Sequence, residues 1–243
     1  MSILSRLLPC LMVLLVTSAV SAQYGPIDDL KLKQESDGVD VKLIPAPEKA
    51  IVLFDGKSLD GWVKRNDTTA PATWKVLGNG VMQVQGGDIV TAKKFDGNFK
   101  LHVEFRVPYM PTSSGQGRGN SGVYVQGRYE VQVLDSYGLD SKDNDCGGIY
   151  SIARPITNAC KAPTVWQSYD MEFQSPKCEN GKKTEPGVIT VYHNGVKIHD
   201  QVKLTKDFTT SGINSDPCTP GPIMLQDHGN PVQYRNMWLL PTE

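Results

Sequence analysis

The chain has 243 residues and balances 25 Lys and Arg against 26 Asp and Glu, for a net charge of -1. With no basic run and no basic amphipathic helix, that balance speaks against nucleic acid and membrane surfaces as partners. The 23 glycines and 16 prolines break the sequence into short segments too brief for amphipathic helices.

The first segment carries one positive charge between Ser2 and Arg6, then an apolar run from Leu7 to Val16, then small residues from Thr17 to Ala22. This predicts a signal peptide over residues 1–22, cleaved between Ala22 and Gln23, and hence a secreted or periplasmic protein. The apolar run falls short of the roughly 18 residues that a membrane span needs, which disfavours a retained anchor. Cys10 would leave with the peptide. The remaining Cys146, Cys160, Cys178 and Cys218 are an even set in an exported chain, which favours disulfides over thiol chemistry. Three pairings exist; Cys146–Cys160 would close a short loop and Cys178–Cys218 would staple an insertion. The spacings lack the close Cys pairs of a structural zinc site.

Residues 23–49 are polar, end near Pro45-Ala46-Pro47 and show no period, so they read as an extended lead-in to one domain spanning 50–243. From there the pattern is β throughout: Ile51–Phe54, Trp74–Leu77, Val81–Gln85, Ile89–Thr91, Phe99–Val107, Ser121–Gln126, Tyr129–Leu134, Ser168–Gln174, Val188–His193, Val196–Gln201, Ile223–Gln226 and Gln233–Leu239. Strands at this density predict an all-β, two-sheet antiparallel sandwich. Asn79-Gly80 and Asn194-Gly195 supply the positive φ of tight hairpins. In the fifth run Phe99, Leu101, Val103, Phe105 and Val107 share one face, which leaves His102, Glu104 and Arg106 on what reads as an exposed charged face. His193 and His199 flank a turn and read as exposed too.

Several segments together resemble the 3-keto-disaccharide hydrolase domain family: Leu53-Phe54-Asp55-Gly56-Lys57-Ser58-Leu59-Asp60-Gly61-Trp62, Asn120-Ser121-Gly122-Val123-Tyr124, Gly127-Arg128-Tyr129-Glu130-Val131-Gln132, Trp166-Gln167-Ser168-Tyr169-Asp170, Val191-Tyr192-His193-Asn194-Gly195, and the run from Gly221 to Trp238. The resemblance spans roughly Ala50 to Leu240. It implies a concanavalin A-like jelly roll and glycoside-cleaving activity on 3-keto-disaccharides or other 3-keto-glycosides.

Alternation also isolates candidate site residues. Val123, Val125, Val131, Val133, Ile223 and Leu225 should point into the core, which leaves Tyr124, Arg128, Glu130, Gln132 and Gln226 opposite them, with Asp227 and His228 at a strand end and Arg235 on the next strand. An aromatic ring beside amides and carboxylates suits a pyranose. If these strands adjoin, the residues form a sugar site; otherwise they form a structural polar network. In the first case Glu130, His228 and Arg235 would be catalytic, and Tyr124, Arg128, Gln132, Gln226 and Asp227 would bind substrate. A base removing the proton at C2 of a 3-keto sugar lets the C1 oxygen leave, and water then completes hydrolysis. Glu130 or His228 would act as base or acid, and Arg235 or a divalent metal (Ca, Mn or Zn) bound through Glu130 and His228 would hold the enolate. The acidic loop with Asp135, Asp140, Asp143 and Asp145 reads as a solvated turn, with calcium as the alternative. The competing readings are a non-catalytic lectin-like module and a conventional glycosidase; for the latter, Gln132 stands where a second acid is expected. The substrate class is a small molecule or oligosaccharide, and the oligomeric state stays open.

Overall fold

The computed structural model describes residues 23–25 and 27–242. The expected leader, residues 1–22, lies outside them. Fifteen strands form the fold among the described residues: β1 Ile51–Phe54, β2 Trp62–Lys64, β3 Lys75–Leu77, β4 Val81–Gln83, β5 Ile89–Thr91, β6 Asn98–Arg106, β7 Ser121–Val125, β8 Tyr129–Val133, β9 Gln167–Gln174, β10 Lys177–Glu179, β11 Lys182–Glu185, β12 Val188–His193, β13 Val196–Lys203, β14 Met224–Leu225 and β15 Gln233–Thr242. The chain is an all-β antiparallel sandwich. One sheet runs β13-β12-β9-β6-β15-β4-β3, with β1 also paired to β15, and the other runs β2-β5-β14-β7-β8. No helix among the described residues is long and apolar enough to cross a membrane.

Alternation builds the core. Phe99, Leu101, Val103 and Phe105 of β6 meet Val123, Val125, Val131, Val133 and Leu225 from the facing sheet in one cluster. A polar contact crosses it: the hydroxyls of Tyr234 and Ser121 lie 2.6 Å apart, and Ser121 Oγ donates to Gln226 O at 2.6 Å. Such a contact ties both sheets to the strand end that carries Gln226. The hairpin residues Asn79, Gly80, Asn194 and Gly195 all take positive φ, as their turns require. A third Asn-Gly turn, Asn180-Gly181, joins β10 to β11. That ribbon has no apolar alternation, so hydrophobic period does not reveal it.

The lead-in covers the outer face of the larger sheet. Ile44 O accepts hydrogen bonds from Asn236 Nδ2 and Trp238 Nε1, Asp40 Oδ1 accepts from Trp166 N, and Tyr24 Oη donates to Pro231 O. This cover corrects one expectation: His102 and Glu104 are fully buried, not exposed. His102 Nδ1 donates to Asp170 Oδ1 at 2.7 Å, and its ring stacks on Trp238. His193 and His199 are also buried. His193 follows Ile189 and Val191 on the inward phase of β12, and His199 Nε2 meets Gly147 O at 2.7 Å beneath a loop.

Cys178 and Cys218 form a disulfide that ties the β10–β11 ribbon to the loop before β14. Cys146 and Cys160, expected to pair, are free buried thiols.

Candidate active site

The outer face of the five-stranded sheet carries two rows of side chains. Strand register aligns Val63, Val90, Met224, Tyr124 and Glu130 across all five strands. The second row holds Arg65, Asp88, Gln226, Gly122 and Gln132: Arg65 N donates to Asp88 O, Gln226 N donates to Gly122 O, and Gly122 pairs with Gln132. Polarity therefore changes along each row, from apolar at β2 to acidic at β8 in the first.

Glu130 is the centre of this face. It is 2 % exposed, its backbone N–H donates to Thr209 Oγ1, and its carboxylate accepts from the Tyr124 hydroxyl. Gln226 Nε2 in turn donates to Tyr124 Oη at 3.0 Å. Burial is the main influence on the Glu130 carboxyl; it outweighs the Tyr124 hydrogen bond and, with the Asp88 charge nearby, lifts the pKa to about 7. A carboxyl so tuned exchanges a proton near neutral pH, as a general base or acid must. Space for it comes from Gly122: a Cβ there would sit 2.5 Å from Glu130 Oε1 and 2.8 Å from a Tyr124 ring carbon.

Asp88 serves as a fixed charge. Its Oδ2 pairs with Arg65 Nη1 at 2.7 Å and its Oδ1 accepts from Asp227 N at 2.8 Å, so both oxygens are engaged. Asp227 is itself a loop brace, accepting from Gly87 N and Gly229 N. His228, the next residue, is exposed on the turn. On the far side of Gly122, Asn120 Nδ2 donates to Gln116 O, and Gln132 Nε2 donates to Gln116 Oε1. Asn120 Oδ1 is buried without a partner among the described residues. At the β2–β5 end of the same sheet, a cavity of about 370 Å³ opens between Val63, Val90, Ile213, Pro220 and Pro222, with Arg65 at its wall; neither Tyr124 nor Glu130 lines it.

The structure thus brings Tyr124, Glu130, Gln132 and Gln226 onto one face, with Asp227 and His228 at its end. It separates two others from them. Arg235 lies on β15 of the opposite sheet and on that sheet's outer face, where Nε donates to Glu104 Oε2 at 2.6 Å and the guanidinium stacks 4.2 Å from the Trp166 ring centre. The core stands between Arg235 and Glu130, because adjacent positions of β15 point to opposite faces and Tyr234 takes the inward one. Arg128 sits in the β7–β8 turn, fully buried, and its guanidinium donates to Ser215 Oγ, Gln126 Oε1, Asp216 O, Thr219 O and Thr219 Oγ1. Those bonds make it the anchor of the loop over the sheet.

A metal at Glu130 and His228 finds no support in the donor set. Among the described residues the only cluster of three or more His, Cys, Asp or Glu ligand atoms is elsewhere, at Cys146, Cys160 and His193. The acids of the Asp135–Asp145 loop do not converge either. Sequence patterns missed Asp88, Arg65 and Asn120. Asp88 and Arg65 flank strands too short to show a period, and Asn120 was legible only as a motif neighbour of Tyr124.

Comparison with known proteins agrees with this architecture. A family model described as a 3-keto-alpha-glucoside-1,2-lyase-like domain matches residues 49–240. A Bacteroides thetaiotaomicron protein named 3-keto-disaccharide hydrolase is 30% identical over 271 residues, covering 91% of this chain and 84% of the relative. A crystal structure from Parabacteroides distasonis ATCC 8503, described as a candidate glycosyl hydrolase, matches with 36% identity and a TM-score of 0.71 over 82% of this chain and 86% of that one. A second protein of that organism, 22% identical with a TM-score of 0.58 over 81% and 95% of the two chains, shares the fold. The chain is a carbohydrate-active, hydrolase-like domain, and it belongs to the 3-keto-alpha-glucoside-1,2-lyase-like domain family.

Proposed function

We propose that this protein cleaves 3-keto-glycosides, 3-keto-disaccharides among them, by elimination followed by hydration, with Glu130 as the base. The observation that carries the reading is the Glu130 carboxyl, buried on the sheet face and poised at about 7 beside the Tyr124 hydroxyl and the Gln226 amide. A 3-keto group acidifies the C2–H bond. Glu130 takes that proton, the electron pair moves onto the C3 oxygen as an enolate, and the Tyr124 and Gln226 donors stabilise the developing charge. The enolate then re-forms the carbonyl, the new C1–C2 double bond appears, and the C1–O bond breaks. The leaving oxygen takes a proton from His228 or water at the exposed turn. Water adds its OH to C1, its remaining proton restores the donor that served the leaving oxygen, and protonated Glu130 returns its proton to C2, so the net reaction is hydrolysis.

Arg235 has no part in this scheme. Asn120 Oδ1 would accept a sugar hydroxyl, and the cavity at Val63, Val90 and Ile213 would hold the group beyond the scissile bond. Asp88 does not supply the second carboxylate of a conventional glycosidase, since Arg65 and Asp227 N occupy both of its oxygens. Export to the periplasm or beyond, through the leader at residues 1–22, is part of the same reading.

The test is sugar release from a 3-keto-disaccharide and from its unoxidised parent, for the wild type and Glu130→Gln. Release from the keto sugar alone, abolished in the variant, is the expected result. Binding without release in the wild type would replace the enzyme with a sugar-binding module, and equal release from both sugars would point to an ordinary glycosidase.

A further inference from the structure

Three side chains from separate parts of the chain meet in the core near one edge of the sandwich. Cys146 ends the acidic loop after β8, Cys160 ends the segment that leads toward β9, and His193 closes β12. Their ligand atoms, two thiol sulfurs and a ring nitrogen, lie within 4.8 Å of one another. Both thiols are free, and the three residues are at most 9 % exposed.

The imidazole is oriented as a ligand would be. His193 Nε2 lies 3.0 Å from Gln167 Oε1, and that oxygen also accepts a hydrogen bond from Lys161 N at 2.8 Å. An oxygen that accepts from both sides requires Nε2 to carry the proton. Nδ1, on the side of Gly147 next to Cys146, is then the nitrogen with the lone pair. A ring N–H held by a fixed oxygen, with the other nitrogen left as a lone-pair donor, is the arrangement that outer partners impose at metal sites.

We propose that Cys146, Cys160 and His193 bind a thiophilic cation, Zn(II) or Cu(I). Two thiolates and an imidazole form the soft donor set that these ions share. With no exposed position, the site is shut off from solvent. Such an ion would act on the sheet edge that carries the candidate active site. Gly147 N donates to Gln132 O and Gln132 N donates to Gly148 O, so the loop held by Cys146 forms the backbone partner of β8. The metal would clamp that loop and the Cys160 segment to β12, at the place where the sequence suggested a disulfide.

The experiment uses the whole chain, purified anaerobically under reducing conditions without chelator. Metal content is measured by elemental analysis, and the metal-stripped protein is then titrated separately with Zn(II), Cu(I) and Co(II). The expected result is one ion per chain in one or both of the Zn(II) and Cu(I) titrations, a thiolate-to-cobalt charge-transfer band, a raised thermal midpoint, and protection of both thiols from a thiol reagent until the metal is removed. Cys160→Ser should lose stoichiometric binding and the cobalt band. Failure to bind any of the three ions while both thiols react freely would overturn the proposal. So would peptide mapping that finds a Cys146–Cys160 disulfide in protein isolated without reductant from the compartment where the chain resides. Because the readouts on wild-type protein need no variant, a misfolded Cys160→Ser chain would not blunt the test.

Discussion

Glu130→Gln separates the energetic cost of the site from its chemistry. Burial lifts the Glu130 carboxyl from an ordinary 4.5 to about 7, so between those values the unfolded chain has shed a proton that the folded chain still holds. The group therefore costs nothing below about pH 4.5; the penalty grows as pH rises and is complete above about pH 7. The difference between the two values corresponds to about 3 kcal/mol. Glutamine has the shape of the protonated acid and cannot ionise, so the variant should match the wild type near pH 4 and exceed its stability by about 3 kcal/mol near pH 8.5. At roughly 2–4 °C per kcal/mol for a chain of this size, the thermal midpoint at the higher pH should rise by about 6–12 °C. Urea or thermal unfolding of both proteins across the pH range measures this directly. A stability difference that does not change with pH would refute the claim that desolvation sets the Glu130 pKa. In the same samples, turnover of a 3-keto-disaccharide should fall by about 10²–10⁴-fold. A stabilised but fully active variant would keep the burial argument and remove Glu130 from catalysis.

Other outcomes follow from the same geometry. Wild-type turnover should rise with pH through about 7 as Glu130 ionises; a flat profile in stopped assays would exclude it as base. Gly122→Ala should displace the Glu130 carboxyl or the Tyr124 ring, costing about 1–3 kcal/mol of stability as overpacking and most of the activity; unchanged kinetics would show that this space is not used. Arg128→Ala strands the carbonyls of Asp216 and Thr219, and a loss of about 3 kcal/mol with new protease cleavage within residues 209–219 is expected. Reducing Cys178–Cys218, which are 40 residues apart, should lower stability by about 4 kcal/mol if loop entropy dominates. Burial disfavours the charged form of His102, yet the Asp170 and Glu104 hydrogen bonds outweigh it and raise its pKa. Its stabilisation is thus full below about 6.5 and fades as pH rises through the higher folded value. Asp170→Asn should accordingly destabilise the protein more at pH 5.5 than at pH 9.

Alternation made most strands legible because each buries one face. Ile51–Phe54, Ile89–Thr91 and Val188–His193 coincide with the observed elements, and the inward set of β6, β7 and β8 is the core. It could not show what covers an outer face. The polar row of β6 reads as exposed because nothing local encodes a lead-in that returns more than fifty positions away in sequence to cover it. The same limit explains Arg235: its motif neighbours Gln226 and His228 lie on and at the end of the candidate face, while a strand switch places Arg235 on the other sheet. Arg128 and Glu130 look equivalent in sequence, two residues apart; turn geometry sends one to clamp a loop and leaves the other on the sheet.

Gly122 shows how little structure the proposed site would require. Glycine within a strand costs roughly 0.5–1 kcal/mol relative to alanine, and here the missing methyl group is where the Glu130 carboxyl rests. The recess is carved by subtraction from a regular ladder whose register is otherwise unbroken between Ser121–Val125 and Tyr129–Val133. A neighbouring strand pair that carried alanine at this position would keep its hydrogen bonds and its fold while losing the hollow. Between a plain structural sandwich and one shaped for the proposed chemistry, the difference at this point is a single carbon atom.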